Sequence, residues 1–439
     1  MRRVIALGLI GTTIEWYDYY LFIYAALLAF PSIFFPSKEY LISLLASVSS
    51  YAIAFFARPL GAAIFGHLGD RIGRRHALSF DLILVGLAMI FVGVLPGYSV
   101  LGIIAPLLVF AIRFVQGLGV GGEWGGVSTW VSEHLSKRRA TFTSVIQIAS
   151  PLGFIGAATV LLIFPSNFSS IGWRVGFIAG GIAALLGALL RYLATESLPF
   201  NEIKTKGEIA KIPSVEVFKN FWKEILLLTL AVGGVFIGVY IPATVMPSLY
   251  LTQVQKETHI PSLITLLGAA VPLRSLLIYV YSIGGIVSMP LFAMIADRVG
   301  RKKSLILGNL LIAITSVPYV YMFLSGNLNE MLLAQFLIGQ FLIGFSAYAP
   351  YASMAAFYPE IFPVKFRYSG SSYGLQLAAA LEGGLMPILL IALLGNPSEY
   401  LIKSWEVATF LGAWGLISLV STIPLKETKN LDLVRDVNV

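Results

Sequence analysis

Long apolar stretches separated by short polar breaks follow one another along the whole chain. Runs long enough to cross a bilayer, roughly 20 residues at about 1.5 Å each, fall at about 4–35, 43–68, 77–96, 101–132, 140–165 and 172–194. Six more fall at about 223–251, 272–296, 304–325, 330–358, 367–394 and 405–425. The pattern predicts an all-α membrane protein with 12 transmembrane helices in two six-helix bundles. Residues 1–194 are the expected first bundle and 195–222 a polar linker broken by Pro199 and Pro213. Residues 223–425 are the second bundle and 426–439 a tail. The first run follows Arg2 and Arg3, lacks a small-residue cleavage site and contains Glu15 and Asp18, so it reads as a retained helix rather than a signal peptide.

The polar breaks carry an internal repeat. Gly66–Arg75 reads Gly-His-Leu-Gly-Asp-Arg-Ile-Gly-Arg-Arg, and Ala296–Lys303 returns a shortened copy. Asp70 and Asp297, Glu133 and Glu360, and Gly117 and Gly344 each stand 227 positions apart. A common offset near half the chain means two homologous halves, as in transporters built from repeats.

Composition narrows the class. Apolar residues make up 57% and charged residues 12% of the chain, the latter about half the share of a soluble domain. There is too little charge to clothe a water-soluble core of this size, so lipid covers most of the surface. The net charge of +8 therefore does not point to nucleic acid. Its distribution sets the orientation: 23 of the 30 lysines and arginines fall on one side if both termini are placed inside, which predicts an N-in, C-in topology. Cysteine is absent, which removes disulfides and thiolate chemistry. No phosphate loop, metal cluster or nucleophile–base set appears, so an enzyme, a cofactor and a metal are not expected.

Several strings together resemble those of a known family. Gly-Asp-Arg-x-Gly-Arg-Arg after the second run, with its weaker copy after the eighth, resembles the signature loop of the major facilitator superfamily. Arg113-Phe-Val-Gln116-Gly117 with Gly121 resembles that superfamily's fourth-helix motif. Gly11-Thr-Thr-Ile-Glu15-Trp16-Tyr17-Asp18-Tyr19 is similar to the Gly-Asn-x-x-Glu-Trp-Tyr-Asp-Phe string of the metabolite:proton symporters, with Thr12 where that family has Asn. Phe56-Ala-Arg58-Pro59-Leu60-Gly61, Gly121–Gly126 and Pro359–Pro363 before Arg367 agree. The resemblance covers the chain and is sharper in its first half. It implies the major facilitator fold, in a monomer of the cell membrane. It also implies alternating-access uptake of a small metabolite, such as shikimate, 2-oxoglutarate, citrate, proline or betaine, with protons.

Charge inside the apolar runs marks candidate chemistry, because an unpaired ion at mid-bilayer costs several kcal/mol. Glu15 and Asp18 share a helix face at i and i+3, Arg58 lies at similar depth, and Arg113, Gln116, Glu123 and Trp124 fall on one arc of the fourth run. Asp18, Glu15 and Glu123 are the candidates for proton coupling. Arg58 and Arg113 suit a small anionic or zwitterionic substrate, since a guanidinium matches carboxylate geometry. Gln116, Trp124, Tyr17, Tyr351, Tyr373, Gln376 and Glu382 complete the expected substrate site, with Tyr279 and Tyr348 as further lining. Asp70, Arg71, Arg74, Glu133 and Arg139, with Asp297, Arg298, Arg301, Glu360 and Arg367, are expected to form a gate at the cytoplasmic end, which Asp81 joins. Arg191 counts among the linker cations, and Arg274 reads as an interfacial arginine that snorkels. The principal reading is proton-coupled symport. A proton-coupled exporter or antiporter and a non-transporting membrane sensor are the alternatives, and the short tail without heptads weighs against the sensor.

Overall fold

A computed structural model describes residues 2–135, 137–196, 202, 213–251, 263–266, 269–324, 330–395 and 404–431. Pro199, His259 and Arg435, like part of the linker and of the tail, lie outside the described residues. The long helices of the first half are α1 (Arg2–Leu28), α2 (Tyr40–Ile72), α3 (Arg74–Val94), α4 (Ile104–Ser132), α5 (Arg139–Ile163) and α6 (Phe168–Tyr192). Those of the second are α7 (Pro213–Ser248), α8 (Leu273–Val299), α9 (Arg301–Leu324), α10 (Glu330–Ile361), α11 (Val364–Leu394) and α12 (Ser404–Thr422). Among the described residues, 11 helices are long and apolar enough to cross a membrane. The remaining one, α1, has 27 residues but carries Glu15, Asp18 and several tyrosines, which lower its hydropathy. With it the count is that of a 12-helix fold.

Breaks in the helices have local causes. The first apolar run stops at Leu28, and a short turn over Phe30–Ile33 contains Pro31. α2 hands over to α3 at Gly73, with φ of 118°, and α8 to α9 at Gly300, with φ of 120°. Only glycine takes that conformation at little cost, which is why both copies of the repeat keep one there. α7 starts at Pro213 rather than at 223, bends where Phe221 leaves helical geometry (φ −128°, ψ 25°) and widens over Ile241–Tyr250. α11 widens over Ala379–Leu385 ahead of Pro387. A small antiparallel hairpin, Leu263–Leu266 with Ala269–Pro272, precedes α8. The apolar pattern gave no signal for it, because so short a strand cannot be told from the edge of a span.

Packing follows the repeat. α2 lies along α4, α3 along α6 and α1 along α5; in the second half α8 and α9 lie along α10, and α9 along α12. A Cβ on Gly117 would collide with the Ala54 carbonyl, and one on Gly344 with the Tyr281 carbonyl, so these glycines let α2 meet α4, and α8 meet α10, backbone to backbone. The halves meet along two seams, α11 against α2 and α4, and α5 against α8 and α10. Both repeat loops and the described chain ends lie at one end of the molecule, here termed the basic end.

Candidate functional site

The centre of the molecule is a buried charged cluster between the halves. Asp18 of α1 is 0% exposed. Its Oδ2 accepts hydrogen bonds from Arg113 Nη1 at 3.0 Å and Gln116 Nε2 at 2.6 Å. Arg113 and Gln116 sit one turn apart on α4, and Arg113 also donates to Gln116 Oε1 at 2.5 Å. The Arg113 guanidinium lies 3.9 Å over the Phe22 ring, and that of Arg58 lies 4.1 Å over both Tyr19 and Phe55. Rings thus cover the guanidinium faces and leave their N–H edges. Arg58 Nη1 reaches Gln376 Oε1 of α11 at 3.4 Å, across the seam. Arg58 Nε, Arg113 Nε and Nη2, Glu15 Oε2 and Asp18 Oδ1 are buried without a hydrogen-bond partner. Buried polar groups are normally satisfied, so this unused capacity is the arrangement's main chemical statement.

An aromatic wall completes the centre. Trp124 donates to Gln147 Oε1 at 2.8 Å, and Gln147 Nε2 to the Tyr351 carbonyl at 3.0 Å. Tyr351 packs edge-on to Trp16, with centroids 6.3 Å apart. Tyr20, Ser150 and Tyr348 form a hydroxyl chain across the α1–α5–α10 contact, at 2.7 and 2.9 Å. Toward the end opposite the basic one, Tyr24 donates to the Ala243 carbonyl at 3.1 Å and Thr159 meets Tyr279 at 3.1 Å. Among the described residues, these contacts across the halves are made by tyrosine and threonine hydroxyls.

Three sequence-predicted substrate residues are not brought to this cluster. Tyr17 turns into the first half and donates to the Gly176 carbonyl at 2.8 Å. Tyr373 is half-buried and packs on Phe218 of α7, 5.6 Å between centroids. Glu382 is buried inside the second half beside Gly233 and Trp414. It lies within the widened turn over Ala379–Leu385.

Glu123 also has a different setting from the one expected. It forms a two-pronged pair with Arg191 of α6, both N–O distances 2.5 Å, and accepts from Thr12 Oγ1 at 3.0 Å. Arg191 is 1% exposed and donates as well to the Leu7, Gly8 and Leu78 carbonyls. It is therefore an interior residue and not a linker cation. Asp81 lies within electrostatic reach of Glu123, Arg191 and Glu15 and belongs to this inner cluster rather than to the gate. Arg274 is half-buried and donates to the Pro247 carbonyl at 3.0 Å.

At the basic end the repeat builds two matching ionic latches. Asp70 accepts from Ser369 N at 3.0 Å, Ser369 Oγ at 2.8 Å and Tyr368 N at 3.4 Å, and pairs with Arg74 at 3.4 Å. Asp297 accepts from Thr141 N at 2.8 Å, Thr141 Oγ1 at 2.6 Å and Ala140 N at 3.2 Å, and pairs with Arg301 at 2.7 Å. Each half thus uses its aspartate to cap a helix of the other, α11 or α5, where unpaired N–H groups favour an anion. Glu133 receives Arg74 at 3.4 Å and Arg367 at 3.3 Å, while Glu360 receives Arg301 at 3.2 Å and Arg139 at 2.5 Å. Arg71 and Arg298 of the expected set are exposed, with no side-chain contact in either latch. The tail joins the second latch: Thr428 Oγ1 donates to Glu360 Oε2 at 2.5 Å, and Glu427 caps α9 through Arg301 N at 2.8 Å. The helix-end partners Ser369 and Thr141 carry no charge, so no sequence signal singled them out.

Twelve membrane helices in two repeated halves around a buried polar centre define a membrane transporter. The family model of the Major Facilitator Superfamily matches residues 8–273 and 258–433, and the chain belongs to that superfamily. It is 33% identical to the inner membrane metabolite transport protein YhjE of Escherichia coli K12, over 98% of this chain and 96% of that one. It is 30% identical to the shikimate transporter of the same organism, over 98% and 95% of the two chains. Among solved structures, the proton:xylose symporter XylE bound to 6-bromo-6-deoxy-D-glucose superposes with a TM-score of 0.73 at 17% identity, covering 98% of this chain and 97% of that one. The relatives are transporters, and the chain is a multi-pass protein of the cell membrane.

Proposed function

We propose that this protein is a proton-coupled symporter for a small carboxylate-bearing metabolite, anionic or zwitterionic, working as a monomer by alternating access with its basic end in the cytoplasm. The observation that carries the reading is the set of unused guanidinium N–H donors at the centre, beside a carboxylate that already occupies one arginine. In the state described, Asp18 holds Arg113. A proton on Asp18 removes the charge that holds it, and Arg113 together with Arg58 then presents N–H edges to a substrate carboxylate. Loss of the proton on the other side restores the Asp18–Arg113 pair and expels the anion. Substrate and proton thus share one arginine, which couples their movements. Gln376 is the contact by which the second half senses the arginines, and Trp124 with Tyr351 shapes the apolar side of the cargo. The basic loops support the orientation, since such segments remain on the cytoplasmic side.

Uptake into proteoliposomes under an imposed inward proton gradient tests the coupling. The cargo panel consists of organic acids and betaines preselected by thermal shift, with shikimate, named for one relative, among them. Wild-type protein is expected to accumulate its cargo above equilibrium. Asp18→Asn is expected to abolish accumulation while sparing substrate counterflow; loss of both together, or of neither, would refute the role given to Asp18.

A further inference from the structure

The inner charges of the first half do not balance. Glu15, Asp18, Asp81 and Glu123 are all buried, and the buried guanidiniums they share are Arg58, Arg113 and Arg191. Arg113 is taken by Asp18 and Arg191 by Glu123, and Arg58 is the cation that acts most on Glu15 electrostatically. Asp81 is the carboxyl left over. It is 1% exposed, and no side chain donates a hydrogen bond to either oxygen. An ionised carboxylate buried without an ion-pair partner costs several kcal/mol.

At the basic end a residue of the other half is inserted among the helices of the first. Tyr368 of α11 is 0% exposed. Its ring enters a slot between Gly69 of α2 and Gly126 of α4, positions where a Cβ would strike the ring, and its hydroxyl lies beside Gly122. The phenol lies within electrostatic reach of Asp81, Glu123 and Asp70. The backbone N–H of Tyr368 is part of the Asp70 latch, at 3.4 Å. The ring and the latch thus share one helix end, that of α11.

We propose that Asp81 is a relay site through which the coupled proton passes from the central site to the basic end, and that Tyr368 is the plug that closes this path while the latch is shut. The proposal rests on the proton-coupled reading above. The Asp81 carboxylate formed by each release takes up the next proton, from the Asp18 or Glu15 carboxyl, and holds it while the latch is shut. When the plug withdraws, it passes from the Asp81 carboxyl oxygen to water, and the carboxylate left behind is held by Arg191, which it then shares with Glu123. The groups facing Asp81 are thus Glu15 from α1, Glu123 from α4, Arg191 from α6 and Tyr368 from α11.

Infrared difference spectroscopy on purified protein in lipid nanodiscs near neutral pH tests the proposal without any cargo. The wild-type-minus-Asp81→Asn spectrum is expected to show a carboxylic-acid C=O band. Asp81→Glu is expected to restore the band at a shifted position, which separates a lost proton site from a misfolded variant. In deuterated buffer the band is expected to shift slowly in wild type and Tyr368→Phe, and faster in Tyr368→Ala. A flat difference spectrum would overturn the relay, and equal exchange rates in all three would overturn the plug. If the bands behave as expected but proton-driven accumulation fails, the symport reading falls and the protonated site stands.

Discussion

Arg58 and Arg113 occupy similar depths but differ in what remains to them. Arg113 is committed to Asp18, whereas Arg58 shares charge with Glu15 and spends one long hydrogen bond, 3.4 Å, on Gln376. Arg58 is therefore the first cation a substrate carboxylate meets. Arg58→Lys keeps the charge but loses the planar fork and the stacking on Tyr19 and Phe55. Substrate affinity is expected to fall by about one to two orders of magnitude, the range of a charged hydrogen bond worth roughly 1.5–3 kcal/mol. Equilibrium binding measured on the same purified protein checks this, and an unchanged dissociation constant removes Arg58 from the site. Asp18, Arg113, Gln116 and Trp124 were legible in the sequence because a 3.6-residue period fixes which positions share a face. Arg191 was not, because an arginine at a span's end looks the same whether it faces water or turns inward. Tyr17 stands next to Asp18 in the chain, yet about 100° around the helix, and so faces another neighbour.

The helices owe their spacing to small residues, and the repeat keeps those too. Gly117 and Gly344 stood out in the sequence only as a matching pair; the structure gives the reason, the direct backbone approach of α4 to α2 and of α10 to α8. Gly117→Ala pushes α4 off α2 and moves Arg113 and Gln116 relative to Arg58. Overpacking of this kind costs about 1–3 kcal/mol, so the melting temperature of the purified protein is expected to drop and binding to weaken with it. A variant with wild-type melting behaviour contradicts so close a contact. The spans could be read from the apolar runs and the expectation of two halves from the repeat, but helix irregularities could not. The bend at Phe221 and the widened turns of α7 and α11 depend on neighbours from distant sequence.

For the molecule as a whole, the two latches make closure of the basic end a joint property of both halves. Each aspartate belongs to one half and caps a helix of the other, so neither bundle can swing away without uncapping both α5 and α11. Asp70→Asn and Asp297→Asn are each expected to raise the share of molecules open at the basic end, and the double variant to raise it further. Because cysteine is absent, a single pair introduced at Ser132 and Ala355, now joined across the seam at 3.1 Å, reports that opening through spin-label distances. Unchanged distances in the double variant would contradict the latch. The repeat announced which acids and arginines gather at this end, but not that the aspartates spend themselves on backbone N–H groups. That follows only once the two halves are docked.

The two closures of this molecule respond to different variables. The latch charges are buried while the basic end is shut, and dissolved salt screens them once it opens and water reaches them. Rings and hydroxyls at the far end depend chiefly on apolar burial, which weakens on cooling instead. Salt on one side of the membrane and temperature on both thus act as separate handles on a single equilibrium. The membrane face on which the salt is added decides whether the first handle is felt at all.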